Sequence, residues 1–165
     1  MWVTTTVSSD TAPNNAFIDD QTMVSDKVLN SRNITINSAT SVLSFRNNFN
    51  TEYDPPPAET FWDGGVLEVS TNGGVDYFDI TDSHIGGSFV SGGYTGEIDG
   101  TAGNPLAGRM AWSGNSGGYI NTVINMGAML NGMTMKLRFR MGSDEAVSFP
   151  GWHVDGLSIT NAACP

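Results

Sequence analysis

Ser116 has the sequence surroundings of a nucleophile, because Gly114-Asn-Ser-Gly-Gly118 matches the G-x-S-x-G motif. A serine nucleophile needs a histidine base and a carboxylate that orients it. The only histidine before Ser116 is His84, with Asp99 between them. The motif works at a strand–turn–helix junction, and this chain has no helical pattern. We therefore interpret the segment as a tight turn before a strand at Tyr119, and we predict no catalytic residue.

Carboxylates at predicted strand ends are the second group of residues that could do chemistry. Glu52 follows one predicted strand, Asp63 precedes the next, and Asp155 lies in the last. Asp20 is a further candidate in an irregular N-terminal segment. A carboxylate at a core edge is costly unless it is hydrogen-bonded, paired with arginine or bound to a metal. Oxygen ligands in a chain poor in cysteine and histidine favour Ca²⁺, so we predict a calcium site from these four residues.

An alternative remains open for Asp155. The period of two in the final predicted strand places it on the same face as Leu157 and Ile159. In that position backbone N–H groups, Arg46 or Arg109 would satisfy the carboxylate without a metal.

Aromatic residues beside polar loops are the candidates for ligand contact. Aromatic faces with nearby amides and carboxylates are typical of carbohydrate sites, and the residues considered are Trp62, Tyr94, Trp112, Trp152 and Tyr53. Trp62 and Tyr94 lie beside glycine-rich loops, which favours exposure, and with Trp112 they form the predicted ligand-binding set. A core position is the alternative for each, because large aromatic side chains usually pack inside.

The elements that must position these residues are short strands. Residues 133–141 alternate strictly, with Met133, Met135, Leu137, Phe139 and Met141 on one face. Weaker alternation recurs at residues 34–36, 42–49, 65–70, 119–126 and 152–159, separated by glycine-rich turn clusters. No amphipathic helix is predicted. Many short strands with such turns indicate an all-β fold, an antiparallel two-sheet sandwich or a barrel.

Composition excludes several classes of partner. The 165 residues include 7 Lys+Arg and 17 Asp+Glu, a formal net charge of −10. So few cations leave no patch for binding phosphates, which excludes a nucleic-acid partner. No apolar run approaches the ~18 residues of a membrane span, so no membrane insertion is predicted. The acidic, lysine-poor composition, rich in glycine and small polar residues, favours an extracellular location.

The length predicts a single domain over residues 1–165, and we expect it to be a module of a longer secreted protein. Cys164 is the only cysteine, which excludes a disulfide framework and a thiolate zinc site. A free thiol and pairing within the longer parent are both open for it.

Six segments occur in an order that resembles a known family. They are Asn48-Phe-Asn-Thr-Glu52, Trp62-Asp-Gly-Gly-Val-Leu-Glu-Val-Ser70, Asn104-Pro-Leu-Ala-Gly-Arg109, Ala111-Trp-Ser-Gly114, Leu137-Arg-Phe-Arg-Met-Gly142 and Gly151-Trp-His-Val-Asp155. The set is similar to the MAM-like jelly-roll accessory domain of secreted bacterial metallopeptidases of the immune-inhibitor-A type and of related cell-surface proteins. It is similar, more distantly, to cleaved-adhesin domains. The resemblance covers about residues 17–159.

The resemblance implies a two-sheet jelly roll without catalytic machinery, export from the cell and structural calcium. Glu52, Asp63 and Asp155 occupy matching motif positions. His153 stands where the family often has an aromatic residue, and Gly156 stands where a second acidic residue is common, so Gly156 offers only its carbonyl.

Two functions follow from the sequence. One is a non-catalytic, calcium-stabilised accessory or interaction module beside a parent catalytic or surface domain. The other is a carbohydrate-binding module, with a glycan or an extracellular protein as its partner. Exposed, coplanar aromatic rings would favour the second function, whereas buried rings and a carboxylate-lined cation site would favour the first.

Overall fold

The computed structural model describes residues 1–164, and its regular secondary structure is almost entirely β-strand. Within these residues there are sixteen strands and one short 3-10 helix, Ala128–Leu130. In chain order the strands are β1 (Val3–Thr5), β2 (Asn15–Ile18), β3 (Ser25–Asn30), β4 (Ile34–Ile36), β5 (Val42–Asn50), β6 (Tyr53–Asp54), β7 (Thr60–Phe61), β8 (Gly64–Ser70), β9 (Phe78–Asp79), β10 (Ser88–Ser91), β11 (Gly96–Glu97), β12 (Met110–Ala111), β13 (Ile120–Asn125), β14 (Thr134–Ser143), β15 (Gly151–Ile159) and β16 (Ala162–Ala163).

Two antiparallel sheets form the body of the protein. Sheet I has the strand order β1-β2-β15-β5-β13-β10, and sheet II has the order β16-β4-β14-β8-β9. β3 also pairs with β14, beside its C-terminal half. The pairs β6–β7 and β11–β12 form two small additional sheets. This architecture confirms the predicted all-β sandwich.

The core lies between the two sheets, because the long strands bury alternate residues. β5 turns Leu43, Phe45 and Phe49 inward, and β14 turns in the predicted residues from Met135 to Met141. Trp112 and Trp152 lie fully buried near the centre, with ring centroids 5.7 Å apart. The period of two therefore located the core-facing residues within β5 and β14 correctly, whereas Met133, predicted on the same face, precedes β14 and is exposed.

β8 differs from the other strands, since all seven of its residues are buried. Ile98, Leu106 and Ala111 pack on Val66 and form a second, smaller core on its outer side. Glu68 shares that side, is only 2% exposed, and binds Arg109 and Arg138. A segment outside the main sheets thus covers a charged residue that the alternation alone would direct to solvent.

A β-bulge in β15 changes the position of Asp155. Trp152 and Val154 enter the core, so Asp155 faces outward from sheet I, opposite Arg46. The register with β5 shifts after Asp155, and Gly156 has a φ of +56°. Ile159 then packs against the core, whereas Leu157 is exposed. The prediction that Asp155 and Ile159 share a face is wrong, because a bulge breaks the period of two.

Candidate metal centre

The β6–β7 hairpin brings Glu52 and Asp63 together. These residues stand immediately before β6 and shortly after β7, at the two ends of the hairpin. The backbone N–H groups of Trp62 and Asp63 donate to the carbonyl oxygen of Glu52 at 3.2 and 3.3 Å. Antiparallel pairing therefore places the two predicted ligands side by side.

Asp144, directly after β14, completes a group of three carboxylates. Candidate ligand oxygens of Glu52, Asp63 and Asp144 all lie within 4.8 Å of one another. The backbone N–H of Asp144 donates to Asp63 Oδ1 at 2.6 Å, and Asn104 Nδ2 donates to the same oxygen at 3.1 Å. These two bonds fix the Asp63 carboxylate through one oxygen and leave Oδ2 without a partner.

Asp20 adds a fourth carboxylate. Its Oδ2 accepts hydrogen bonds from the backbone N–H groups of Glu52 and Phe149, at 3.1 and 3.2 Å. Asp20 is 4% exposed and Asp63 is 0% exposed. We call Asp20, Glu52, Asp63 and Asp144 the acidic group.

Three oxygens of the acidic group are buried without a hydrogen-bond partner. They are Asp20 Oδ1, Glu52 Oε2 and Asp63 Oδ2. A buried polar atom without a partner is costly, and neighbouring negative charges add repulsion. A divalent cation would remove both costs, and carboxylate oxygens are the ligands that Ca²⁺ takes. The donor set therefore fits the predicted metal.

The crowding of the acidic group also shifts its proton equilibria. Burial raises the pKa of Glu52 to about 7, and the charges of Asp144, Asp20 and Asp54 add to the effect. Burial raises the pKa of Asp63 and that of Asp20, and the nearby Asp20 carboxylate raises the pKa of Asp63 further. Without a cation, part of the acidic group therefore retains protons at neutral pH.

Asp155 lies outside the acidic group. Its Oδ2 accepts a hydrogen bond from the backbone N–H of Thr11 at 2.8 Å, and its Oδ1 accepts one from Gly156 at 2.7 Å. Arg46 pairs with Asp10, at 2.9 Å, rather than with Asp155. Backbone N–H groups thus satisfy Asp155, which is the alternative that the sequence left open.

Trp112 and Tyr94 are packing residues. Trp112 is fully buried, and its Nε1 donates to the carbonyl oxygen of Gly92 at 2.9 Å. The Tyr94 ring meets the Trp112 ring edge-on at 4.8 Å, and the Tyr94 hydroxyl donates to Asp79 Oδ2 at 3.0 Å. Trp112 has no free ring face for a ligand, so its predicted contact role is corrected to a core position.

Trp62 is the predicted contact residue that lies beside the acidic group. It is half-buried, and its Nε1 donates to Asp54 Oδ2 at 3.0 Å. With Glu52 and Asp144 it lines a cavity of about 300 Å³. The Trp62 indole therefore lines the same cavity as the carboxylates of Glu52 and Asp144.

Ser116 serves the turn in which it lies. Its Oγ accepts a hydrogen bond from the Phe49 N–H at 3.0 Å and donates to the Gly118 carbonyl at 2.8 Å. His84 instead contacts Asp82, at 2.7 Å, and His153 contacts Asn15, at 3.0 Å. The hydroxyl is thus engaged by the backbone, in agreement with the interpretation as a turn.

Sequence reasoning missed Asp144 as a member of the acidic group. The available signal was its position directly after the most regular strand, which resembles that of Glu52 after β5. Spacing along the chain did not reveal which strand ends meet in space, so the sequence favoured Asp155 over Asp144.

No protein-family model matches the chain, and comparison with curated proteins found no match. No helix within residues 1–164 has the length and apolar character needed to cross a bilayer.

Proposed function

We propose that this chain is a non-catalytic, calcium-stabilised accessory or interaction module of an extracellular protein, acting beside a parent catalytic or surface domain. One observation carries the proposal: three buried carboxylate oxygens in a group of four acidic residues lack hydrogen-bond partners. A bound Ca²⁺ would neutralise part of the group and supply those oxygens with a ligand contact.

The cation would join four separate parts of the chain. Asp20 lies between β2 and β3, Glu52 between β5 and β6, Asp63 between β7 and β8, and Asp144 after β14. A ligand that binds only the folded state stabilises that state by mass action. Extracellular modules typically bind Ca²⁺ with Kd values of about 10⁻⁴–10⁻³ M, so external calcium would keep such a site filled.

Two further features support a non-catalytic role outside the cell. The Ser116 hydroxyl is held by backbone groups of its own turn and of Phe49. The chain also combines 7 Lys+Arg with 20 glycines and a net charge of −10, a composition that agrees with a secreted module. The resemblance to MAM-like accessory domains points in the same direction.

The test compares the melting temperature in calcium with that in EDTA, together with elemental analysis of protein purified in calcium. We expect one bound calcium per chain and a Tm several degrees higher in calcium, since about 1 kcal/mol moves the Tm of a domain of this size by ~2–4 °C. Equal melting temperatures, with no metal in the protein, would refute the proposal. Magnesium serves as the control, because its smaller coordination sphere demands near-ideal octahedral geometry.

A further inference from the structure

The β6–β7 hairpin carries two aromatic rings side by side. Tyr53 and Phe61 face each other across the hairpin, so they project from the same side of it. Their ring planes differ by only 17°, and their centroids lie 6.4 Å apart. This distance exceeds that of a face-to-face stack, so the rings are displaced laterally. Both side chains are half-buried.

Two glycines lie directly against these rings. A Cβ added to Gly96 would lie 2.1 Å from the Phe61 ring. A Cβ added to Gly114 would lie 3.4 Å from Tyr53 Cγ and 3.5 Å from Phe61 Cε1. Because neither glycine has a side chain, the rings pack directly on backbone. Their positions are therefore fixed by the fold.

The rings line an open cleft of about 250 Å³ whose rim is polar. Glu59 and Asn115 are exposed at this rim. Asn115 Oδ1 accepts a hydrogen bond from the Gly117 N–H at 2.7 Å, which fixes the amide by its oxygen. Its nitrogen is then the donor that a ligand would meet, and the Glu59 carboxylate is the acceptor.

This combination of surfaces fits a sugar ring. A pyranose presents C–H groups on its faces and hydroxyl groups around its edge, so an aromatic floor and a polar rim match it. The net charge of −10 and the carboxylate of Glu59 oppose an anionic ligand. We infer that the cleft formed by Tyr53 and Phe61 binds a neutral saccharide.

The inference goes beyond the proposed function, because it concerns another surface than the acidic group. Neither Tyr94, which is partly buried against the core, nor Trp112, which is fully buried in it, lines this cleft. Tyr53 was among the aromatic residues considered from the sequence, whereas Phe61 becomes a candidate only through its pairing with Tyr53.

The test is affinity gel electrophoresis in calcium buffer with neutral polysaccharides, namely xylan, mixed-linkage β-glucan and galactomannan, and with polygalacturonate as the anionic control. We expect at least one neutral polysaccharide to retard the protein and polygalacturonate to leave its mobility unchanged. Tyr53→Ala should lower the association constant about tenfold or more, as expected for a central aromatic contact. Phe78→Ala, at an exposed aromatic residue of β9, is the matched control and should bind as wild type.

A second variant tests the cleft independently, so that the inference can still be tested when Tyr53→Ala does not fold. Asn115→Ala changes an exposed residue of the turn and should also weaken retardation. The Tm of each variant in calcium and in EDTA is recorded separately, because it tests the calcium proposal and not the saccharide site. Retardation by no neutral polysaccharide, retardation by polygalacturonate alone, or unchanged binding in both variants would overturn the inference.

Discussion

The backbone N–H of Asp144 donates a hydrogen bond of 2.6 Å to the Asp63 carboxylate, joining the end of β14 to the start of β8. Asn104 donates to the same oxygen, so one side of this buried carboxylate is fully engaged. The other oxygen is buried without a hydrogen-bond partner. Asp63 is therefore held in place by the fold while one of its oxygens stays available to a cation.

Asp63→Asn should abolish the stabilisation by calcium and leave the metal-free fold intact. The amide keeps an oxygen to accept from Asn104 and Asp144, but it removes one negative charge from the acidic group. We expect the Tm in EDTA to equal or exceed that of the wild type, and the gain on adding calcium to fall to near zero. Differential scanning calorimetry measures both quantities.

Asp155→Asn is the matched control, since Asp155 is also a buried aspartate but lies outside the acidic group. It should lower the Tm in both buffers and preserve the difference between them. If Asp63→Asn kept the wild-type response to calcium, Asp63 would not be a ligand.

In EDTA the protein should become less stable as the pH rises from about 5 to about 8. The pKa of Glu52 is raised from 4.5 to about 7, so its stabilising contribution is fully present below about 4.5 and is lost as the pH rises through about 7. The raised pKa values of Asp63 and Asp20 act in the same direction. Thermal melts in EDTA between about pH 5 and about pH 8 measure how the Tm changes with pH.

Two comparisons sharpen this experiment. Glu52→Gln should flatten the pH dependence in EDTA, because the amide does not titrate. Calcium should stabilise the wild type more at pH 8 than at pH 5, since its carboxylate ligands must be deprotonated. A Tm in EDTA that increased over the same range would contradict the assignment of raised pKa values.

Glu68→Gln should destabilise the protein by about 3 kcal/mol. Glu68 is buried and binds Arg109 and Arg138, with Arg140 at 3.5 Å. Removing its charge leaves these guanidinium groups without their shared partner, and breaking a buried pair costs about 3–5 kcal/mol. Urea unfolding provides the measurement.

The control for Glu68 is Asp26→Asn, which removes an exposed partner of Arg140. Exposed ion pairs contribute about 0–1 kcal/mol, so the loss should stay below about 1 kcal/mol. Similar losses of unfolding free energy in the two variants would show that the buried ion pairs of Glu68 stabilise the protein no more than the exposed pair of Asp26 does.

Gly65→Ala should also destabilise the fold, by about 1–3 kcal/mol, as expected for overpacking. A Cβ at Gly65 would lie 2.4 Å from the Trp152 ring, which is fully buried. Gly100→Ala is the control, because a Cβ there meets no atom within 4 Å. Equal unfolding free energies for the two variants would mean that the Trp152 ring can shift without cost.

Alternation of apolar and polar residues was sufficient to predict β5 and β14, because each strand packs one face on the core and turns a mostly polar face away from it. It was insufficient for β8, whose outer side is covered by Ile98, Leu106 and Ala111. The covering residues belong to a segment whose sequence has no regular alternation of apolar and polar residues. Burial of Glu68 was therefore not visible in the sequence.

The same limit applies to the acidic group. The sequence predicts Glu52 and Asp63 as ligands because carboxylates at strand ends are costly unless they are hydrogen-bonded, paired or bound to a metal, and it offers Asp20 from an irregular segment. The sequence pattern predicts a regular strand through Asp155, and the bulge at Gly156 breaks that regularity. Only the pairing of strands reveals that Asp144, rather than Asp155, ends beside Asp63.

The acidic group draws on residues as far apart in the chain as Asp20, after β2 of sheet I, and Asp144, after β14 of sheet II, so it forms only when both sheets are in place. Contacts of such long sequence separation close late, because loop-closure entropy opposes them early in folding. A cation held there would slow unfolding far more than it would speed folding. Calcium would thereby lengthen the lifetime of the native state, the quantity that governs survival of a protein exposed to proteases and irreversible aggregation.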